Sequence, residues 1–371
     1  RAFSQISGEV VQTTAWVIQK NHMNNYQPSF FRLIEGNEED KQNALLNREN
    51  EYSAAYQGDF DKIPGGPIAY WLGRDLLRLF NGVKIGDLLN VRAGLTTGNT
   101  EKFLKYWFEV DWSKINRSRE NGEVSNSLEY VPYQKGGEER RWYGNNDFVL
   151  SYCTKSIQSM QKMPGHRSDG VSSFFLPSIT WAKIAAGDFS CRLTDSGTAF
   201  DATASSAFGD TASLENAAAI LNTKLGNYVL NSLNSTMVYL PRDIKSVPFL
   251  PIENVHSLVT SLRDLSKWDW DEFEYSYDFK RLPLINFKYP LVKHSFLNYK
   301  EFCLRQIVEY ISLESELNEN VSVAFGRPVI EETQSSKVTL KKSHFKQDNS
   351  ASDNAPMSST SKELVSYTIG C

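Results

Sequence analysis

The sequence predicts a mixed α/β fold in which a strand-containing domain is flanked by helical segments. Apolar, β-branched runs at residues 10–18 and 178–184 predict strands. Apolar residues at helical spacing over residues 69–81 and 213–229, and again from Ile252 onward, predict helices. The length of 371 residues, with 40% apolar and 23% charged residues, is sufficient for two or three globular domains.

Residues 1–67 are predicted to form the first unit. The run at residues 10–18 predicts a buried strand, and residues 29–34 predict the strand that returns beside it after a long turn. Residues 37–50 are charged and contain no Pro, which is consistent with an exposed helix. The Pro- and Gly-rich residues 63–67 end the unit.

Residues 68–251 are predicted to form the second unit, which contains both helices and strands. Its first helix covers residues 69–81, and Gly82 directly after it is a natural stop. Residues 213–229 predict a later helix that Ser213 caps.

Between these helices the second unit alternates polar loops with short elements. Residues 113–128 are polar and predict a loop, and residues 155–162 predict a helix. Residues 178–184 predict a strand in which alternation places Trp181 and Lys183 on the same face.

The last part of the chain is predicted to be helical and then flexible. Residues 252–332 contain amphipathic helices, at 254–267 and 296–318. Residues 333–371 predict a polar linker followed by the start of a further element. The chain begins at Arg1 without an initiator Met or a signal peptide, so we expect it to start inside a longer reading frame or to be trimmed.

Composition narrows the class of protein. No run approaches the roughly 18 apolar residues of a membrane span, so no membrane partner is expected. The net charge of -4 argues against a nonspecific, charge-driven nucleic-acid binder but permits a specific one. The four cysteines form no C-x-x-C pair, which favours free thiols in a cytoplasmic protein over a zinc site.

Catalytic patterns are missing from the sequence. The five histidines show no H-E-x-x-H spacing, and there is no G-x-S-x-G elbow. Gly94-x-x-x-Gly98 lacks the Gly-Lys-Ser/Thr of a phosphate loop. Asp269, Asp271, Glu272 and Glu274 form an acidic cluster, for which a metal or acid–base site and a solvated acidic face are the alternatives. We interpret the cluster as a solvated face and predict no catalytic, cofactor-binding or metal-binding residue.

The segment Lys135-Gly-Gly-Glu-Glu-Arg-Arg-Trp-Tyr-Gly-Asn-Asn146 is the sharpest local signal. Its glycines allow close backbone approach, its arginines can fork onto phosphate or guanine, and its asparagines can pair with adenine. A surface turn with a local salt bridge from Glu138 or Glu139 is the alternative. The full set of predicted DNA-binding residues is Thr96, Thr97, Asn99, Lys135, Arg140, Arg141, Trp142, Tyr143, Asn145, Asn146, Trp181, Lys183, Ser205 and Ser206.

Three stretches together resemble a known family. They are Gly94-Leu-Thr-Thr-Gly-Asn-Thr100, the stretch from Tyr133 to Asn146, and Ile179-Thr-Trp-Ala-Lys-Ile184 with Phe200-Asp-Ala-Thr-Ala-Ser-Ser206 after it. In this order they resemble the C-terminal, target-recognising half of the BREX phage-defence adenine methyltransferases of the PglX type. Further similar stretches lie at residues 8–17, 63–71, 269–283 and 365–371.

The resemblance implies a division of the chain and a function. Residues 1–67 would be the tail of a methyltransferase domain, 68–251 the target-recognition domain, 252–332 a helical region and 333–371 a linker. The parent enzyme would transfer a methyl group from S-adenosylmethionine to adenine at one DNA site. This chain lacks adjacent prolines, and hence the Asn/Asp-Pro-Pro-aromatic tetrapeptide that holds the base, so we expect no cofactor and no catalysis in it alone.

Three hypotheses follow from the sequence. The first is the recognition part of an adenine-N6 DNA methyltransferase, whose partners would be double-stranded DNA, the absent methyltransferase domain and other BREX components. The second is the recognition half of a fused restriction–modification enzyme. The third is a catalytically inactive interaction protein. One basic surface containing Lys135, Arg140, Arg141 and Lys183 would favour the first two, and scatter over opposite faces would favour the third.

Overall fold

The computed structural model describes residues 14–21, 23, 25–116, 128–234, 236–327, 337–343, 345, 360, 362 and 364. Helices and several sheets are combined, so the predicted mixed α/β class is confirmed. The chain divides into two compact units, Arg1–Gly82 and Val83–Cys371. The functional boundaries predicted after residues 67, 251 and 332 stay predictions.

The first unit contains short strands and helices. These elements are β1 (Phe30–Phe31), α1 (Glu38–Leu46), β2 (Glu51–Tyr52), a 3-10 turn (Gln57–Lys62) and α2 (Arg74–Leu79). The Asn37 side chain accepts a hydrogen bond from the Asp40 amide and so caps α1, which confirms the helix predicted there.

The strand prediction for residues 10–18 is wrong in its described part. Residues 14–18 form no strand and are exposed, while residues 10–13 lie outside the described residues. Instead, β1 pairs antiparallel with β2, which follows α1. Phe30 stacks on Tyr70 with ring centroids 4.4 Å apart. The ring of Phe30 therefore packs on an aromatic side chain of the same unit and not on the strand predicted at residues 10–18.

In its described part, the second unit contains two four-stranded sheets. The order of the first is β3-β10-β7-β8, all antiparallel, and the order of the second is β4-β6-β5-β9, in which β9 runs parallel to β5. The strands are β3 (Asn90–Arg92), β4 (Leu104–Tyr106), β5 (Tyr130–Gln134), β6 (Phe148–Ser151), β7 (Ser178–Trp181), β8 (Cys191–Thr194), β9 (Ala199–Phe200) and β10 (Ser206–Phe208).

Helices precede, separate and follow these strands along the chain. They are α3 (Ile85–Leu88), α4 (Thr100–Phe103), α5 (Thr154–Gln161), α6 (Thr211–Leu221), α7 (Lys224–Leu233), α8 (Pro241–Lys245), α9 (Val255–Asp271) and α10 (Val292–Ala324), with 3-10 turns at Trp107–Glu109, Trp112–Lys114, Val171–Ser173, Pro283–Asn286 and Lys341–Ser343. Most of α6 is buried, and it packs against β8 and α9. No helix in the described part of the chain is long and apolar enough to cross a membrane.

The predicted helix over residues 213–229 is two helices. A Cβ at Gly226 would lie 1.9 Å from the carbonyl oxygen of Ile220, so Gly lets α7 begin tightly against the end of α6. The Thr223 side chain accepts from the Gly226 amide and caps α7. The cap of α6 is Asp210, which accepts from the amide of Ser213, so the predicted capping role of Ser213 is wrong.

The flexible linker predicted over residues 333–371 is wrong where the chain is described. The main-chain amides of Lys341 and Lys342 donate to Asp269, and Leu340 and Phe345 are buried. Charged composition suggested solvation, but buried contacts to α9 and α10 hold this segment in place. The remaining parts of that prediction, at residues 333–336, 344, 346–359, 361, 363 and 365–371, and of the loop prediction, at residues 117–127, lie outside the described residues.

Candidate nucleic-acid interface

The predicted recognition segment, residues 135–146, forms a loop that is closed from within. The side-chain amide of Asn145 donates from Nδ2 to the carbonyl oxygens of Gly136 (3.0 Å) and Glu138 (2.9 Å). A Cβ at Gly137 would lie 2.7 Å from the side chain of Asn145, and both glycines have positive φ. The glycines therefore serve the turn and its packing on Asn145.

Arg140 lies in the interior of the second unit. Its guanidinium donates to Asp269 (Nη1 to Oδ2, 2.8 Å) and to the carbonyl oxygens of Tyr143 and Ser266 (3.1 Å each). The side chain is 2% exposed and that of Asp269 is 0% exposed. These contacts join the loop to α9. The role of Arg140 as a DNA contact stays a prediction.

Arg141 and Trp142 meet a second buried carboxylate, Glu314 of α10. The Arg141 Nη1 lies 3.2 Å from both Glu314 oxygens, the Trp142 indole donates at 3.2 Å, and the Tyr310 hydroxyl donates at 2.7 Å. Burial opposes the charge on Arg141, but Glu314 and Tyr310 raise its pKa above the usual range. Trp142 has a φ of +71°, a strained value that main-chain hydrogen bonds to Cys191 and Leu193 hold.

Other predicted contacts are also buried. The Tyr143 hydroxyl accepts from Lys267, and the Trp181 indole donates to the carbonyl oxygen of Tyr239. Ser205 is bonded through its carbonyl oxygen to the Trp181 amide. The buried members of the predicted set are Thr97, Arg140, Arg141, Trp142, Tyr143, Asn145, Trp181, Ser205 and Ser206.

The acidic cluster is an ion network, so the interpretation as a solvated face is wrong for its core. Asp269 is buried against Arg140, and Asp271 accepts from Lys267 and Ser276. Glu272 pairs with the ammonium of Lys342. No group of three or more His, Cys, Asp or Glu side chains that could hold a metal ion occurs in the described ranges.

Burial shifts the pKa of two ionisable groups near the loop, Arg192 and Asp147. Arg192 donates to the carbonyl oxygen of Gly136 (3.0 Å), and burial lowers its pKa to about 10. Burial also raises the pKa of Asp147 to about 6. Both pKa shifts have the same cause: burial removes water from the charged form and so favours the neutral form of each side chain.

Two accessible members of the predicted set, Lys135 and Lys183, adjoin the loop at residues 201–203. The Thr203 hydroxyl donates to the carbonyl oxygen of Lys135 (2.8 Å), and the Lys183 amide donates to the carbonyl oxygen of Thr203 (2.9 Å). Thr203 is exposed, and both lysines are partly exposed. The main chains of Lys135 and Lys183 thus both bond to one exposed threonine, and the Lys135 ammonium pairs with Asp201 (3.2 Å).

The loop at residues 94–98 extends this surface. The Leu95 amide donates to the carbonyl oxygen of Phe200, and Thr96 exchanges two main-chain hydrogen bonds of 3.0 Å with Arg167. A Cβ at Gly94 would lie 2.3 Å from the carbonyl oxygen of Phe200, so only Gly permits this approach. We call the resulting group the Thr203 surface; its members are Thr96, Lys135, Arg167, Lys183 and Thr203.

Arg167 and Thr203 were not predicted as site residues. The glycine-flanked basic turn Gly165-His-Arg-Ser-Asp-Gly170 was a signal that could have indicated Arg167. Asn99 is exposed, but its side chain caps α4 by accepting from the Lys102 amide (3.0 Å). Asn146 is partly exposed and accepts from Gln134.

The four basic residues chosen to discriminate the hypotheses divide into two pairs. Lys135 and Lys183 adjoin Thr203, whereas Arg140 and Arg141 are buried in ion pairs. They therefore neither form one basic surface nor scatter over opposite faces. The two glycines of the Gly94–Gly98 loop pack directly against Phe200 and Met163.

Comparison with known proteins gives relatives but no family model that matches. The chain is 34% identical, over its whole length, to the adenine-specific methyltransferase BrxX of Escherichia coli O9:H4 (strain HS). It is 35% identical, over 75% of its length, to the adenine-specific methyltransferase PglX of Lacticaseibacillus casei (strain Zhang). The chain spans 31% of the first relative and 25% of the second.

Proposed function

This chain belongs to the PglX-type family of BREX adenine-specific methyltransferases, and from that premise we propose that it is the DNA target-recognition part of a site-specific adenine-N6 DNA methyltransferase. Methyl transfer and S-adenosylmethionine binding belong, in this proposal, to the part of the enzyme that the chain does not span. Double-stranded DNA, that catalytic part and other BREX components are the proposed partners.

The Thr203 surface is the observation that supports the proposal most. It combines Lys135, Arg167 and Lys183 with the hydroxyl-bearing Thr96 and Thr203, which are the residue types that contact DNA phosphates. Five separate segments supply these residues, and hydrogen bonds to main-chain atoms link the segments to one another. A rigid arrangement of donors sets the register in which neighbouring side chains reach base edges.

The buried members of the predicted set support this surface from within. Arg140 and Arg141 fix the loop at residues 135–146 to α9 and α10 through Asp269 and Glu314. Lys135 begins that loop, so the ion pairs hold its backbone in place. We propose that the buried arginines position the recognition loop and that the exposed residues contact DNA.

The proposal is tested by measuring how single substitutions change DNA affinity and its salt dependence. Lys183→Ala and Arg167→Ala remove charges from the Thr203 surface, and Lys293→Ala removes one from exposed α10 as the matched control. Fluorescence anisotropy with a labelled duplex from 50 to 200 mM salt gives both quantities. Each lost phosphate contact should weaken binding and reduce the log–log salt slope by about 0.9.

Arg140→Ala and Arg141→Ala are weaker tests. Their predicted loss of DNA binding would accompany a loss of stability, because each leaves a buried carboxylate without its partner. Unchanged affinity and salt slope in both Lys183→Ala and Arg167→Ala, with the control also unchanged, would remove the Thr203 surface from the interface.

A further inference from the structure

A cleft of about 220 Å³ lies beside the recognition loop and outside the Thr203 surface. Its walls are the turn at residues 193–198, the side chains of Tyr143 and Asn146, and the segment containing Tyr277 and Asp278. All of these residues are buried or partly buried, so the cleft is recessed. A cavity of roughly 150 Å³ holds one benzene ring, and this cleft is therefore large enough for a heterocycle.

The walls offer aromatic rings and hydrogen-bond acceptors. Tyr143 and Tyr277 contribute rings, Asp195 and Asp278 contribute carboxylates, and Asn146 contributes an amide. Thr194, Ser196 and Thr198 add hydroxyls. Aromatic rings can stack on a planar ligand while the more numerous polar side chains bond to its edge, so this lining suits a planar polar ligand.

Each of the two carboxylates pairs with a cation that is not among the lining residues. Arg263 Nη2 lies 2.5 Å from Asp195 Oδ1, and Lys267 Nζ lies 3.1 Å from Asp278 Oδ2. Lys267 also donates to the Tyr143 hydroxyl (3.1 Å) and lies 4.6 Å from that ring's centroid. The wall therefore presents the oxygens of two carboxylates, each paired with one of these cations.

This chemistry selects one ligand class. Carboxylate oxygens accept several hydrogen bonds each, so these walls favour a ligand that donates hydrogen bonds. Adenine, cytosine and guanine donate through exocyclic amino groups, and thymine carries no such amino group. We propose that this cleft binds an amino-bearing nucleobase, supplied either by a free nucleoside or by an unstacked base of a nucleic acid.

The proposal does not rest on the proposed DNA function, because free nucleosides probe the cleft directly. Saturation-transfer NMR on the whole chain, with deoxyadenosine, deoxycytidine or thymidine at millimolar concentration, measures contact with each base. Transfer to the two amino-bearing nucleosides should exceed transfer to thymidine at least fivefold. Equal transfer to all three nucleosides, or none to the first two, would overturn the proposal.

Two variants place the contact in this cleft. Ser196→Trp puts an indole into it and should abolish the transfer, whereas Ser172→Trp on an exposed turn is the matched control and should not. Asp278→Asn keeps the shape, removes a charge and should weaken the transfer severalfold. Undiminished transfer in both Ser196→Trp and Asp278→Asn would overturn the assignment.

The duplex anisotropy assay then distinguishes the two sources of the base. Loss of duplex affinity in Ser196→Trp, with Ser172→Trp unchanged, identifies a base of DNA. Unchanged duplex affinity, together with lost nucleoside contact, identifies a free nucleoside. Both results support the cleft, and both are independent of the effect of Lys183→Ala on DNA binding.

Discussion

Replacing Asp269 by Ala should destabilise the second unit strongly. Asp269 accepts three hydrogen bonds: from Arg140 at 2.8 Å, and from the amides of Lys341 and Lys342 at 2.9 and 3.0 Å. Its removal leaves a buried guanidinium unpaired, which costs about 3–5 kcal/mol. Each amide left without an acceptor adds about 1 kcal/mol or more, less whatever relaxation recovers. We therefore expect a loss of at least about 4 kcal/mol in unfolding free energy.

Urea unfolding of the whole chain, followed by Trp fluorescence, measures this loss. Lys337→Ala is the matched control, because its ammonium pairs with Glu139 yet is 71% exposed, and it should change little. The double variant Arg140→Met/Asp269→Leu should recover part of the loss, since it removes the unpaired charge. A loss below about 1 kcal/mol in Asp269→Ala would refute the view that a buried charge pair holds the loop.

Two further predictions concern stability. The pKa of Asp147 is raised in the folded chain to about 6, above the ordinary 3.8. The charged carboxylate therefore lowers the unfolding free energy above pH 6, and this loss disappears as the pH falls towards 4. Asp147→Asn should therefore raise the unfolding free energy at pH 7 by up to ~3 kcal/mol and flatten its dependence between pH 4 and 7; an unchanged pH profile in urea unfolding would contradict this. Gly226→Ala should lower the melting temperature by several degrees because its Cβ would clash with the Ile220 carbonyl, whereas Gly58→Ala, with open space around it, should not; equal shifts in calorimetry would refute the clash.

Local patterns predicted the helices well and their ends less well. Amphipathic spacing indicated α9 and α10, which extend beyond their predicted ends to Asp271 and Ala324. The break between α6 and α7 depends on a carbonyl that approaches Gly226, and no local propensity encodes that approach. The segment Lys337–Ser343 reads as a linker because the partner of its amides, Asp269, lies far away in the sequence.

The same distance limited what could be predicted about the site. Arg140 and Arg141 have the composition of a DNA-reading pair, but their carboxylate partners follow 129 and 173 positions later. Conversely, Arg167 and Thr203 join the Thr203 surface through main-chain hydrogen bonds, which residue type does not reveal. Lys135 and Lys183 could be chosen from the sequence because both lie within the stretches that carry the family resemblance.

Selection from a pooled random-sequence DNA duplex tests the central claim most directly. The whole chain is mixed with the pool at low and moderate salt, and the retained molecules are sequenced. Target recognition by this part of the enzyme predicts enrichment of one asymmetric motif at both salt concentrations, with less DNA retained at the higher one. Retention without any enriched motif, or no retention at low salt, would contradict the claim that this chain carries the recognition determinants.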